Sequence, residues 1–302
     1  MIINSITELI GNTPILKLNK IQIPNNNTIF AKLEFRNVAG GIKDRFALYA
    51  FDKFIKSGKI NKNSTIIEAT AGNTGLGAVL LALEYGIKAI MVVPSKFSKE
   101  KQFLMKALGA KIINTPEEYG MQGASQKAQE LLETIPNSFT LDQFKSDLNI
   151  QSHYFNTAKE IYQDLKNIDY FVCGAGSGGC LSGISLFLKE KIPSLKSVLC
   201  DPIGSIIGGG KAGEAHIEGI GNDFIPDIMR VDLIDEVIKI SDQEAYNGVK
   251  MLSSIEGIMA GISSGACIMA CLKLAQKIKN KTILTIFSDD LLKYFSREKE
   301  LL

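Results

Sequence analysis

The stretch YFVCGAGSGGCLSGISLFLKEK, residues 170–191, reads as a strand, a glycine loop and a helix in immediate succession. Residues 170–176 open on an apolar run, and residues 179–191 carry apolar side chains at helical spacing. Between them, backbone N–H groups free of side-chain bulk face the positive end of a helix, which makes a cradle for phosphate. The same alternation extends in both directions. Upstream, 64–69 reads as a strand, 74–86 as a helix ended by Gly86, 88–94 as a strand, 98–110 as a helix and 111–116 as a strand. A helix at 157–165 precedes the quoted stretch; a strand at 196–202, a helix at 265–278 and a last strand at 281–287 follow it. Fully apolar strands alternating with helices predict parallel sheets covered on both faces. The pattern falls into two blocks, roughly 40–145 and 150–302. These predict two doubly wound α/β lobes with a ligand cleft between them, at the carboxyl ends of the strands.

Composition narrows the classes. The 302 residues are 45% hydrophobic and 22% charged, with 34 basic and 32 acidic side chains and a formal charge of +2. That balance points away from nucleic acid or an anionic membrane as the main partner. The five cysteines, Cys173, Cys180, Cys200, Cys267 and Cys271, contain no CxxC pair and predict buried, reduced thiols. Only His153 and His216 are available as imidazole ligands, too few for a multi-histidine metal site. The start, MIINSITELIGNTPI, lacks a basic n-region and a long apolar core. No run approaches the roughly 20 apolar residues of a membrane helix. The expectation is a cytoplasmic location. PNNN, residues 24–27, reads as an ordinary polar turn.

Three loops carry the chemistry. GAGSGG, 174–179, fits GxGxxG, and Asp201 stands 22 residues beyond Gly179 at the end of the next strand. Gly174, Gly176, Gly179 and Asp201 therefore support a nicotinamide-dependent dehydrogenase. EATAGNTGLG, 68–77, offers the hydroxyls of Thr70 and Thr74, the Asn73 amide and free N–H groups. Such a nest suits a carboxylate, although Asn73 or Thr74 could instead cap the helix. In RNVAGGIKDRFALYA, 36–50, Lys43 follows Gly40 and Gly41 and opens a helix. A lysine there works against the helix dipole, so it is not placed for helix stability.

Taken together, these stretches resemble the fold-type II pyridoxal-phosphate enzymes of the tryptophan synthase β-like superfamily, in the cysteine synthase and cystathionine β-synthase branch. LIGNTPILKL, GGIKDR, EATAGNTG, MVVPSKFSKEK, LGAKII, DQF (142–144), GAGSGGCLSGI, EGIG (218–221) and AGISSGA (260–266) follow the family's order over nearly the whole chain. The dehydrogenase reading explains neither Lys43 nor the Asn73 loop. The resemblance implies a smaller lobe of residues 40–146 with the substrate-carboxylate loop. It implies a larger lobe of 1–39 plus 147–302 with the phosphate loop. Lys43 is implied to form the Schiff base with pyridoxal phosphate and to remove the substrate's α-proton. Gly176, Ser177, Gly178, Gly179 and Cys180 match the phosphate loop, Asn73 the partner of the ring hydroxyl, and Ser263 the serine at the pyridine nitrogen. Thr70, Ala71, Gly72, Asn73, Thr74 and Gln143 match the substrate-carboxylate loop; Gly219 and Gly221 match a loop closing near the cofactor. A homodimer is the family's usual state.

Departures bear on the reaction. NVAGGIKDR has Val38 and Gly41 where the family usually has proline and serine; Ala71 replaces a common serine and Cys180 a threonine. SDDLLKY, 288–294, replaces a PDSGERY-like stretch. Several of these remove hydroxyls near the substrate. Asp232 stands where the family more often has a non-acidic residue, and Asp223 resembles the cystathionine β-synthase pattern. Either carboxylate could serve as a general base towards water. The expected activity is β-elimination or β-replacement through an aminoacrylate: release of hydrogen sulfide from L-cysteine, with water or a thiol adding. O-acetylserine sulfhydrylase or cystathionine β-synthase activity is the alternative, and a non-catalytic amino-acid sensor is the alternative of another class.

Overall fold

A computed structural model describes residues 2–70, 72–95 and 97–301. Its strands are β1 (Ile15–Lys17), β2 (Thr28–Leu33), β3 (Thr65–Ala69), β4 (Lys88–Pro94), β5 (Lys111–Thr115), β6 (Ser138–Phe139), β7 (Tyr170–Gly174), β8 (Lys196–Pro202), β9 (Glu236–Ile240) and β10 (Thr282–Phe287). They form two sheets, ordered β1-β2-β10-β7-β8-β9 and β5-β4-β3-β6. Neighbours run parallel except for β1 against β2. Parallel neighbours need crossovers long enough to hold a helix. These include α1 (Lys43–Lys56), α2 (Asn73–Glu84), α3 (Lys99–Ala107), α4 (Gly120–Thr134), α5 (Asp147–Ser152), α6 (Ala158–Asp164), α7 (Gly179–Lys191), α8 (Asp242–Met251), α9 (Ile262–Lys277) and the short C-terminal α10 (Glu298–Leu301).

The apolar strands are apolar because both faces are covered. In the larger sheet Leu284, Ile286, Phe171, Cys173 and Leu199 pack with Leu181, Ile184 and Leu188 of α7. Ile283, Phe287, Val172, Val198 and Cys200 turn the other way, to Ala266, Cys267, Ala270, Cys271 and Leu274 of α9. The smaller sheet does the same, with Ile66, Met91 and Val93 against α1 and α2 and Ile67 and Val92 against α4. Strict alternation of direction along a strand makes this two-sided core possible. Helices α8 and α9 cross in close contact: a Cβ on Gly248 or Gly265 would overlap the backbone of the opposite helix.

Residues 15–33 add β1 and β2 to the larger sheet, with β2 beside β10. This puts the N-terminal chain under α1. Arg45 in the first turns of α1 reaches Glu34 (Nε to Oε2 2.6 Å) and Glu160 (Nη1 to Oε1 2.7 Å), while Lys32 lies 3.0 Å from Glu160. Burial opposes ionisation of Glu34, yet the Arg45 guanidinium holds its carboxyl below the usual range. The network ties the start of α1, and with it Lys43, to the end of β2 and to α6. The 24–27 stretch is more than a polar turn. Asn27 is buried, and its Nδ2 donates to the carbonyls of Pro24 (2.8 Å), Ala275 (2.9 Å) and Ile278 (3.0 Å), which closes the C-terminal end of α9.

Candidate active site

Four helices begin at one place: α1 at Lys43, α2 at Asn73, α7 at Gly179 and α9 at Ile262. The residues just past β10 hold three of them together. Ile42 N donates to Ser288 O (2.9 Å) and Gly261 N to Asp289 O (2.9 Å). Asn73 Nδ2 donates to Asp289 Oδ2 (2.7 Å), and Ser288 N to Ser264 Oγ (3.2 Å). Free N–H groups and helix dipoles sum to a positive region at the carboxyl ends of both sheets, suited to an anion.

The fourth helix brings the glycine loop. Gly178 takes φ +85°, which a side chain would strain, and turns the chain into α7. A Cβ on Gly176 would stand 2.6 Å from Gly219 O, so the glycine loop and the 219–222 loop touch backbone to backbone. Gly221 N donates to Ala175 O (2.8 Å) and Asn222 Nδ2 to Gly176 O (2.6 Å). Lys43 Nζ lies 3.2 Å from Ser177 Oγ, and Asn149 Nδ2 donates to the same oxygen at 3.0 Å. With two donors directed at it, the buried Ser177 hydroxyl keeps its own hydrogen for an acceptor. Burial pushes the Lys43 amine below the ordinary lysine range, towards the neutral form that attacks carbonyls. Cys180, next along, is buried with its sulfur 3.8 Å from Cys173.

The smaller lobe supplies the facing wall. Gly72 is the N-cap of α2, so neither Asn73 nor Thr74 spends its side chain capping. Thr74 Oγ1 donates to Gln143 Oε1 (2.7 Å), and Gly72 N donates to Thr70 Oγ1 (3.2 Å). Asn149 Nδ2 also donates to Gln143 O (2.8 Å), which ties this wall to Ser177. Glu68, at the base of the loop, accepts from Thr140 Oγ1 (2.7 Å) and from Leu141 N. Burial lifts its pKa to about 7. Ala71 lies outside the described residues. Ser263 is buried at the second position of α9.

The two acids are both exposed. Asp232 is 57% exposed on a short turn and pairs with Arg230 through Nε (2.8 Å) and Nη2 (2.7 Å), which holds its carboxyl below the usual range. Asp223 is exposed, one residue beyond Asn222. Asp201, the acid a dinucleotide would need, is fully buried, and its Oδ2 takes Lys239 Nζ at 2.5 Å and Gly208 N at 2.9 Å. All five thiols are free and buried. Among the described residues no group of side chains is arranged to hold a metal ion, and no helix is long and apolar enough to cross a membrane. Asn149, Asp289 and Lys293 were not singled out by sequence. The last two lie in the divergent SDDLLKY stretch, which was the available signal.

A side-chain-free anion cradle, a neutral-prone amine beside it and an unspent serine hydroxyl fit pyridoxal phosphate, whose aldehyde needs an amine and whose phosphate needs N–H donors. Comparison agrees. Residues 6–289 match the family described as pyridoxal-phosphate dependent enzyme. The chain belongs to this family, with the fold-type II architecture of two α/β lobes. It is 46% identical over 299 residues to the O-acetylserine dependent cystathionine beta-synthase of Bacillus subtilis strain 168, covering 98% of this chain and 97% of that protein. It is 44% identical over 301 residues to a cysteine synthase of Helicobacter pylori strain 26695, covering 98% of each. Among solved structures, a hydrogen sulfide-producing enzyme from Fusobacterium nucleatum superposes with a TM-score of 0.94 at 36% identity, over 97% of this chain and 100% of that one. The protein is thus a pyridoxal-phosphate enzyme of the cysteine synthase and cystathionine β-synthase branch, and its chemistry is β-replacement on an amino acid.

Proposed function

We propose that the enzyme replaces the β-substituent of O-acetylserine or L-cysteine with a sulfur nucleophile, a thiol or sulfide. The observation that carries this reading is the pairing of two unlike walls. Lys43 Nζ and Ser177 Oγ, 3.2 Å apart, face the cradle on one side, and Thr74 and Gln143, 2.7 Å apart, line the other. When bound, pyridoxal phosphate supplies the electron sink that makes loss of the Cα proton feasible. Gly176, Ser177, Gly178, Gly179 and Cys180 would bind its phosphate, Asn73 would meet its ring oxygen, and Ser263 would meet its ring nitrogen. A neutral hydroxyl there leaves the ring a moderate electron sink, which suits elimination rather than transamination. Thr70, Ala71, Gly72, Asn73, Thr74 and Gln143 hold the substrate carboxylate, and Lys43 Nζ takes the Cα proton. Gly219 and Gly221 let their loop approach the cradle. Similarity to the Bacillus and Helicobacter proteins supports this reading. The five free thiols agree with work in a reducing, cytoplasmic compartment, and a homodimer is the expected assembly.

A second reading is favoured by likeness to the hydrogen sulfide-producing enzyme: cysteine loses sulfide and water adds to give serine, with Asp232 or Asp223 as base towards water. The ion pair with Arg230 works against Asp232 in that role, because it holds the carboxyl below its usual range and so makes it a weaker base. One experiment separates the readings. O-acetylserine and cysteine are each supplied with homocysteine, sulfide or neither, and cystathionine, cysteine, serine and sulfide are measured. Serine as the main product, lost in Asp232→Asn or Asp223→Asn, would replace the first reading with the second.

A further inference from the structure

Beneath the Lys43 turn lies a buried polar group that the mechanism above does not use: Asp44, Asp289, Asp290, Lys293 and Tyr294. We propose that Lys293 is a positioning residue for the cofactor, acting through the amide of Asn73. The proposal rests on the placement of Asn73 at the cofactor's ring oxygen.

Lys293 is only 4% exposed, and its Nζ lies 2.6 Å from Gly40 O and 3.1 Å from Asn73 Oδ1. An ammonium can only donate, so it must face the oxygen of the amide. On the other side Asn73 Nδ2 lies 2.7 Å from Asp289 Oδ2, which also accepts from Tyr294 OH at 2.6 Å. That oxygen takes the Tyr294 hydrogen and so acts as an acceptor, which must face the amide nitrogen. The two neighbours enforce one orientation. A flipped amide would set donor against donor and acceptor against acceptor in a buried site. The first Nδ2 hydrogen goes to Asp289, and the second is left to point at an external acceptor. A fixed N–H at the cofactor's ring oxygen favours its ionised form.

The same ammonium holds the carbonyl of Gly40, three residues before Lys43. One buried cation therefore sets both the amide facing the ring and the turn that carries the attaching amine. The three groups are packed together: a Cβ on Gly41 would make ordinary contact, at 3.5 Å, with both Asn73 Cγ and Lys293 Nζ. Burial pushes the Lys293 ammonium below its ordinary range, against the pull of Asp289, Asp290 and Asp44; Lys101 adds to the lowering.

The test uses the enzyme loaded with pyridoxal phosphate and reads its absorption. The ratio of the visible band to the near-ultraviolet band reports ionised against protonated ring oxygen. Lys293→Met is expected to lower that ratio by about fivefold, the net worth of one hydrogen bond, and Lys293→Gln, neutral and one atom shorter, to lower it as well. On an Asn73→Ala background neither substitution should change the ratio further. An unchanged ratio in Lys293→Met would overturn the role of Lys293; if that variant does not fold, Lys293→Gln decides by the same criterion. A full Lys293 effect persisting in Asn73→Ala would also overturn it, because the charge would then act on the cofactor directly. If Asn73→Ala itself leaves the ratio unmoved, the placement of Asn73 fails, which is a distinct result.

Discussion

Gly176→Ala puts a methyl carbon 2.6 Å from the carbonyl oxygen of Gly219 and 3.3 Å from its carbon. Ordinary contacts begin at 3.4 Å, so the two loops must part by about 0.8 Å. Neither side of the clash is a flexible side chain, and the hydrogen bonds from Gly221 N and Asn222 Nδ2 resist the separation. Overpacking of this kind costs about 1–3 kcal/mol. Reduced freedom of the unfolded chain returns about 0.4–1 kcal/mol. The net loss of about 1–2 kcal/mol lowers Tm by only a few degrees in a chain of this size. The cofactor suffers more. Displacing the cradle N–H groups weakens at least one charge-assisted hydrogen bond to the phosphate, about 1.5–3 kcal/mol, or at least tenfold in affinity. Titration of apoenzyme with pyridoxal phosphate measures the affinity, and calorimetry of the apoenzyme measures the stability. Gly213→Ala, whose Cβ would meet Gly204 Cα at an ordinary 3.6 Å, is the matched control and should leave both unchanged. Native cofactor affinity in Gly176→Ala would refute the claim that backbone contact between the loops sets the cradle.

Three further outcomes are expected. The rate of covalent cofactor capture by apoenzyme should rise with pH and level off below 10.5, because burial lowers the Lys43 pKa from that ordinary value; Lys43→Ala should retain the fold but form no borohydride-stable link. Folded Glu68 keeps its proton to about pH 7, whereas an unfolded glutamate loses it near 4.5, so the folded state binds more protons between those values. Stability should therefore fall as pH rises through this window, by at most about 3 kcal/mol, and urea titrations should show a shallower slope in Glu68→Gln. Lys101 of α3 pairs with Glu218 of the opposite lobe at 2.5 Å and covers the Tyr294 ring at 4.4 Å. Lys101→Met should raise KM for the amino-acid substrate several-fold at little cost in Tm, since Glu218 is part-exposed and water can take the lysine's place; an unchanged KM would show that this pair does not hold the lobes closed.

Much of the fold was legible because both sheets are covered. Residues 88–94, 179–191 and 196–202 match β4, α7 and β8 to the residue. Their apolar runs end at Gly or Pro, and little else competes for the pattern. The edges were less legible. β2, at 28–33, mixes Thr28 and Lys32 with apolar residues, and it is a strand because β10 lies beside it in space. Asn27 looked like turn composition but serves the end of α9, about 250 residues away in sequence. In the site, Lys43, Asn73, Thr74, Gln143 and Ser177 could each be nominated from its own loop. That Asp232 is engaged by Arg230, and Asp201 by Lys239, could not.

The sequence alone determined which segments become strands and helices, and which loops offer an amine, an amide and bare N–H groups. Those properties are local, set by the spacing of apolar side chains and by glycine over a few residues. Only the tertiary structure decided which of them meet. Lys43 and Ser177 lie 134 positions apart in the chain and 3.2 Å apart in space. Asn73 and Lys293, 220 positions apart, share a hydrogen bond that fixes which way an amide points. Burial and partner choice depend on the packing of two lobes, and these set whether a lysine is a reactive amine or a carboxylate is already spent.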